Sequence, residues 1–260
     1  MKNRLKIVGI QAALVWENPE QNIAFFEEKI NTLEADLDLI VLPEMCTTGF
    51  TMDPKKVAEK MDGLSVSWMQ KIAKEKQTAI CGSLVISTAN KFYNRFVFVH
   101  PTGEIETYNK RHSFTLAGED KVYTSGTKKI IIEYKGWRIC PFICYDLRFP
   151  VWARNTENYD LLIYVANWPV ARIKAWDTLL KARAIENMSY VIGINRTGKD
   201  GNNYTYSGSS VLLDSLGEVL SSLKENEVGI VSAFLVKSEQ DRIRKKLGFL
   251  TDKDSFIISK

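Results

Sequence analysis

The run Trp137-Arg138-Ile139-Cys140-Pro141-Phe142-Ile143-Cys144-Tyr145-Asp146-Leu147-Arg148-Phe149-Pro150 constrains this chain more than any other. It opens as an apolar stretch with the length of a buried strand, and it turns polar after Cys144. Pro150 bars simple continuation of the strand, because proline lacks the N–H that a ladder needs. A thiol is thereby placed at the end of a core strand with a backbone turn behind it. At such a junction a side chain is held rigidly and still faces a pocket. A cysteine met at random is more often a small buried hydrophobe. Two other stretches move the reading toward chemistry. Leu37-Asp38-Leu39-Ile40-Val41-Leu42 is a second apolar strand and ends in Pro43-Glu44-Met45. Tyr108-Asn109-Lys110-Arg111-His112 follows a hairpin-like segment. A carboxylate, an amine and a thiol each sit just past an expected strand.

The rest of the chain supplies layers for these ends. Residues 5–11 read as the first strand. Asn18-Pro19 offers a cap and a first-turn proline to a helix whose apolar face is Ile23, Phe26, Ile30 and Leu33. A loop from 44 to about 63 is long enough to expect that it lines a site. A second helix starts near Ser65, with Trp68, Ile72 and Ala73 inward. Strands are expected over 78–87, 92–100 and 104–110, the last two turning at Pro101-Thr102-Gly103. Residues 129–134 and 137–144 form a further hairpin, and 159–166 the next strand. A helix over about 170–188 carries Ile173, Trp176, Leu180, Ala184 and Met188 on one stripe. A strand at 190–195 leads into a Gly/Asn-rich loop through Gly201. Residues 208–214 pair with 218–223, and 227–235 form the last core strand. Strands alternate with helices and then come as hairpins, which predicts an α/β layered fold with mixed sheets. Residues 1–260 are expected to be a single unit, with a tail from about 237 that is helical and then extended.

Composition excludes several classes of function. A net charge of +4, with both signs mixed along the chain, argues against nucleic acid as a partner. No apolar run approaches the roughly 20 residues that span a bilayer, so no membrane partner is expected. No secretory signal is recognisable at the start. Cys46, Cys81, Cys140 and Cys144 lack metal-site spacing, so no metal is expected. Reduced thiols then point to a cytoplasmic protein.

A free thiol has a pKa of about 8.5 and needs a base or a cation beside it to react at neutral pH. Glu44 could take the proton of Cys144. Lys110 could stabilise first the thiolate and then the oxyanion formed on an attacked acyl carbon. The main-chain N–H of Tyr145 is a second oxyanion donor. This chemistry needs no metal or organic cofactor. Taken singly, Glu44 also reads as a solvated strand-end carboxylate and Lys110 as a surface charge.

The segments Leu42-Pro43-Glu44-Met45, Tyr108 to His112, and Ile143 to Pro150 resemble, in order and spacing, the three motifs of the nitrilase superfamily of carbon–nitrogen hydrolases. That resemblance implies a four-layer α-β-β-α sandwich and a Glu-Lys-Cys triad of Glu44, Lys110 and Cys144. It also implies a second glutamate, matched by Glu119, that orients Lys110 and assists proton transfer. Glu119 also reads as a surface loop carboxylate, and Asp120 is its rival. The resemblance further implies a homodimer or larger homo-oligomer, for which the tail is a possible contact. Tyr164 to Pro169, Arg172, Trp176, Ala182 to Asn187 and the 193–201 segment resemble the bacterial omega-amidase branch. Its members hydrolyse the terminal amide of short dicarboxylate monoamides such as 2-oxoglutaramate and 2-oxosuccinamate. Met188 and Asn203-Tyr204 depart from that pattern.

Such a substrate needs a cationic group for its free carboxylate. Arg172, at an expected helix start, fits that need, and Trp168 could set pocket length. Arg148 and Arg196 are alternatives, although each also reads as a structural ion pair, Arg148 above all with Asp146. Trp176 lies on the apolar stripe and reads as core. Three other functions stay open: a Cys–His amidase using His112, a nitrile or N-carbamoyl hydrolase, and a non-catalytic binding relative.

Overall fold

Alternation along the first strand gives one sheet two buried faces. In β1 (Arg4–Gln11) Leu5 and Ile7 join one apolar cluster, and Val8 and Ile10 join another. The computed structural model describes residues 3–258, so two residues at each end of the expected unit lie outside it. Helix α1 (Pro19–Asn31) is capped by Asn18, whose side-chain oxygen accepts from the Gln21 N–H at 3.0 Å. Its Ile23, Phe26 and Ile30 lie on the Val8 side. β2 (Leu39–Val41) repeats the alternation, with Ile40 on that side and Leu39 and Val41 on the other. One-turn α2 (Pro54–Val57) lies in the long loop, and α3 (Leu64–Lys76) adds Val66, Trp68, Met69 and Ile72 to the helix-covered face. β3 (Ala79–Thr88), β4 (Lys91–Val99) and β5 (Ile105–Asn109) complete the N-terminal strands. In β4, Phe96 and Phe98 face away from the helices and Val97 and Val99 toward them.

After the short α4 (Glu119–Val122) the chain builds a second sheet from β6 (Ile132–Tyr134), β7 (Trp137–Ile143) and, past α5 (Pro150–Ala153), β8 (Leu161–Ala166). Helix α6 (Ile173–Asn187) leads to β9 (Tyr190–Asn195), then β10 (Thr197–Lys199) and β11 (Thr205–Ser207). β12 (Val211–Leu213), β13 (Val219–Ser222), β14 (Gly229–Val236) and α7 (Lys237–Leu247) follow. The two six-stranded sheets run β14-β1-β2-β3-β4-β5 and β13-β12-β9-β8-β7-β6. Both are mixed: β1, β2 and β3 are mutually parallel, as are β7, β8 and β9, and the other pairs are antiparallel. The sheets touch face to face. A Cβ on Gly9 would fall 2.0 Å from Ile194 Cδ1, so only glycine lets β1 approach β9 this closely. A Cβ on Gly193 would meet Leu180 Cδ1 at 2.5 Å, so α6 lies as close on the outer side of β9. The layers are therefore helices, sheet, sheet and helix, the expected α-β-β-α sandwich.

Local departures from expectation have local causes. Residues 170–172 form a 3-10 turn, and the α-helix proper begins at Ile173. The Gly/Asn-rich loop contains the two-stranded ribbon of β10 and β11. Met188 caps α6 in the left-handed conformation (φ 46°) with its side chain buried, so an apolar residue serves at that position. Helix α7 docks on its own fold: Gln240 donates to the Asp160 carbonyl at 2.8 Å, and Arg244 to Met188 and Tyr159 carbonyls at 2.8 and 2.7 Å.

Candidate active site

Cys144 sits immediately after β7 with φ at +44°, a left-handed backbone that costs a non-glycine residue about 1–3 kcal/mol. Asp146 holds that turn. Its Oδ2 accepts from the Ile143 N–H at 3.0 Å and the Tyr108 hydroxyl at 2.8 Å. Its Oδ1 accepts from the His112 N–H at 3.0 Å and lies 2.7 Å from His112 Nδ1. Asp146 therefore holds the turn that carries Cys144, and the expected ion pair with Arg148 does not form. His112 is also stacked on Phe149, with ring centroids 3.6 Å apart. Its ring is occupied as a partner of Asp146 and does not line the cavity that holds Cys144. The strand ends at Asn109, so Lys110 and His112 both lie past it and strand alternation does not put them on one face.

The carboxylate and amine converge on the same place. Glu44 and Glu119 are 0% exposed and Lys110 is 3% exposed, so none of the three is a surface charge. Lys110 Nζ donates to Glu44 Oε1 at 2.9 Å and to Glu119 Oε1 and Oε2 at 3.0 and 2.9 Å. Glu119 Oε2 also accepts from the Phe114 N–H at 2.6 Å. Its rival Asp120 is exposed. Glu44 Oε2 accepts from the Asn167 N–H at 2.7 Å, and the Asn167 side-chain amide donates to the Glu44 carbonyl at 2.6 Å. The sulfur of half-buried Cys144 lies 3.9 Å from the Asn167 carbonyl oxygen.

Burial is the largest influence on the Cys144 thiol and pushes its pKa well above the ordinary value. The Glu44 charge adds to that rise, and Lys110 only partly opposes it. Burial works against the charge of Lys110, but Glu119 and then Glu44 outweigh it and hold its pKa above the ordinary range. Burial also raises Glu119, with Lys110 opposing and Glu44 reinforcing. The resting arrangement is a neutral thiol beside an ammonium clamped by two carboxylates.

Cys144 opens into a cavity of about 110 Å³. Phe50, Phe114, Tyr145, Trp168 and Tyr206 are among the residues that line it, so the long loop after β2 does reach the site, through Phe50. Trp168 Nε1 donates to the Arg172 carbonyl at 2.8 Å. Two guanidiniums also line the cavity: Arg148 lies 4.8 Å from the Trp168 ring and Arg172 5.0 Å from the Phe114 ring. Among the described residues neither has a hydrogen bond or an ion pair for its guanidinium. Arg196 is elsewhere, fully buried, donating to the carbonyls of Thr197, Leu14 and Lys199. Trp176 is core, its Nε1 donating to the Ser209 carbonyl at 2.9 Å. Tyr204, at one departure from the branch pattern, lines the cavity and is 59% exposed. Among the described residues no group of three or more His, Cys, Asp or Glu side chains is arranged to hold a metal ion.

Sequence reasoning did not single out Asn94, whose side-chain amide donates to Glu44 Oε1 at 2.7 Å and Glu119 Oε1 at 3.2 Å. A signal was present: a strand-disfavoured amide stands at the parity of Phe96 and Phe98, on a face that is otherwise core. Asn167 was read only as a strand end and a branch motif. Phe114 carried no signal, because its place depends on the fold of its loop.

Residues 6–244 match the carbon-nitrogen hydrolase family. The chain is 41% identical over 254 residues to omega-amidase YafV of Yersinia enterocolitica, covering 98% of each chain. It is 33% identical over 248 residues to 2-oxoglutaramate amidase of Bacillus subtilis, covering 94% of this chain and 95% of that one. A crystal structure of a CN-hydrolase superfamily protein from Xanthomonas campestris, with an arsenic adduct in its active site, superposes with a TM-score of 0.96. It is 37% identical and covers 99% of this chain and 100% of that chain.

Proposed function

The chain belongs to the carbon–nitrogen hydrolase family and is an amide-cleaving hydrolase, and from that premise we propose that it is an omega-amidase. In this reading the substrate is a short dicarboxylate monoamide such as 2-oxoglutaramate, and the reaction passes through a thioester on Cys144. The observation that carries the substrate class is the pair of unpaired guanidiniums, Arg148 and Arg172, in the wall of the cavity that holds Cys144. Both side chains are half-buried, and a partly desolvated cation without a counter-charge gains from an arriving anion. A carboxylate is the anion that guanidinium geometry fits. The small cavity favours a short chain over a bulky acyl group. The 2-oxoglutaramate amidase among the relatives is consistent with that choice.

The mechanism follows from the resting arrangement. Because the thiol is protonated, attack must be coupled to proton transfer from Cys144 Sγ to Glu44. The sulfur adds to the amide carbon, and the C=O pair moves onto oxygen. In this reading Lys110 and the Tyr145 N–H stabilise that developing charge. Glu44 passes its proton to the amide nitrogen, the C–N bond breaks, and ammonia leaves a thioester. Water then gives a proton to Glu44 and its oxygen to the acyl carbon. Collapse breaks the C–S bond, returns the proton to sulfur and releases the acid. Glu119, bonded to Lys110 through both oxygens, keeps the ammonium aimed and charged.

The test is ammonia release from 2-oxoglutaramate, glutamine and a simple aliphatic amide. The expected kcat/KM preference for the carboxylated 2-oxo amide is about 100-fold or more, the scale of one or two charge-assisted contacts. Equal rates on the aliphatic amide would defeat the omega-amidase reading. Adding a nitrile and an N-carbamoyl acid to the same panel, with carbon dioxide measured, decides against those rivals or for them.

The same reading includes one hydrolase unit over residues 1–260, a cytoplasmic setting and a homo-oligomer. Four free thiols and an exposed Phe249 in the tail support the last two, and light scattering on the purified protein measures the oligomer. Among the described residues no helix is long and apolar enough to cross a membrane.

A further inference from the structure

Asn94 is 2% exposed and lies on β4, one inward position before Phe96. Its amide orientation follows from its neighbours. The Met45 N–H can only donate, so Ser83 Oγ, 2.8 Å away, accepts there. The single hydroxyl hydrogen of Ser83 is then left for Asn94 Oδ1 at 2.9 Å. Oδ1 therefore faces Ser83, and the NH2 group faces the two carboxylates, one hydrogen to each. The main-chain oxygen of Asn94 accepts from the Lys110 N–H at 2.9 Å. One neutral residue thus references Glu44, Glu119 and the backbone of Lys110 at once.

We propose that Asn94, locked by Ser83, is a positioning residue for the reaction: it ties the Glu44 and Glu119 carboxylates to one another on either side of the Lys110 ammonium. The inference rests on the roles given to Glu44 and Lys110 above. Two buried carboxylates share one ammonium, and like charges so close oppose joint ionisation. A doubly donating amide stabilises both ionised forms and adds no charge of its own. An ammonium in its place would alter the net charge that the base depends on. Alanine would leave both Oε1 atoms one donor short.

The decisive variant is Asn94→Asp, which keeps the shape, removes both donated hydrogens and adds a third carboxylate. The expected kcat falls by about 100-fold or more, from two lost hydrogen bonds to charged groups. KM for 2-oxoglutaramate stays within about 3-fold, because Asn94 is outside the cavity lining. The acid limb of kcat moves to higher pH, because added negative charge favours protonated carboxylates. A merely structural residue would lower the melting temperature and the folded fraction, with the uncharged variant Ser83→Ala keeping the parent's kcat once folded. Folded Asn94→Asp with the parent's acid limb overturns the proposal. Should that variant not fold, Ser83→Ala decides. It keeps Asn94 and frees the amide to rotate, so the proposal requires kcat to fall by about 3- to 10-fold with KM held, the scale of one neutral hydrogen bond. Parent-like kcat in Ser83→Ala overturns it. Cys144→Ala and Glu44→Gln run alongside. Turnover surviving in them would sink the mechanism itself, whereas their inactivity beside a parent-like Asn94→Asp sinks only the role of Asn94.

Discussion

Asn167 holds Glu44 through three bonds: its main-chain N–H donates to Oε2 at 2.7 Å, and its side-chain amide donates to the main-chain oxygen at 2.6 Å and to Oε2 at 3.4 Å. The two residues are 123 apart in sequence and follow strands of different sheets. The packing of one sheet on the other is therefore what places the Glu44 carboxylate beside Asn167. Asn167→Ala keeps the first bond and leaves the Glu44 carbonyl buried without its amide donor. Stability should drop by about 1–3 kcal/mol, the penalty for an unsatisfied buried acceptor. kcat should fall by about 10-fold as the base loses its anchor. Denaturant midpoints and initial rates measure the two effects, and parent-like values of both would show that the grip is incidental.

Removing the sulfur separates fold from chemistry. Cys144→Ala retains the left-handed turn, because Asp146 still holds Ile143, Tyr108 and His112. The melting temperature should change by no more than about 3 °C, since only a half-buried thiol is lost. Turnover should fall on the order of 10⁴-fold or more, as for other nucleophile deletions. Acid quench of the parent enzyme during turnover should reveal the acyl group on the peptide containing Cys144. An alanine variant that still forms that adduct would place the acyl group elsewhere.

The two wall arginines predict a selectivity that neutral substrates should not share. Arg148→Met and Arg172→Met each keep much of the stem that packs on Trp168 or Phe114 and remove the charge. Each should lower kcat/KM for 2-oxoglutaramate by about 10- to 100-fold, mostly through KM. An aliphatic amide should be hydrolysed within about 3-fold of the parent rate in both, since it makes no such contact. Equal losses on the charged and neutral amides would mean that these residues support the wall rather than bind the anion.

How far the site could be read from the sequence depends on whether a residue's partner was local. Leu42 and Cys144 end apolar runs that proline or polar residues stop, so Glu44 and Cys144 could be placed at strand ends. Lys110 likewise follows the last strand of the N-terminal hairpins. Their convergence needs two sheets stacked face to face, which no local pattern reports. Arg148 misled because Asp146 is two residues away, yet that carboxylate turns inward to a backbone N–H and His112. Arg196 misled in the opposite sense: its motif position looked functional, but three carbonyl oxygens hold it. Asn94 was hidden because its two acceptors come from Glu44 and Glu119, both outside its own hairpin.

Activity and stability should separate on the acid side. Burial leads the rise of the Glu119 pKa above its ordinary 4.5, so the folded protein takes up this proton before the unfolded chain does. The stability from neutral Glu119 is then fully present below the unfolded value and lost as pH rises through the folded value. Acidification through that window removes the ionised partner of Lys110, and with it activity, while this group adds stability. Lys110, raised above its ordinary 10.5, keeps its charge and its contribution to stability until pH climbs past that value. The Cys144 thiol, raised well above 9.0, stays protonated in the free enzyme. kcat should therefore show an acid midpoint above 4.5 with no matching loss in melting temperature from Glu119. The rate should not climb with a midpoint near 9.0, where an ordinary thiol ionises. Profiles of kcat and of melting temperature over the same buffers decide both points. A rate that instead tracks ordinary thiol ionisation would mean that a preformed thiolate attacks, and that Glu44 is not the group that takes the proton.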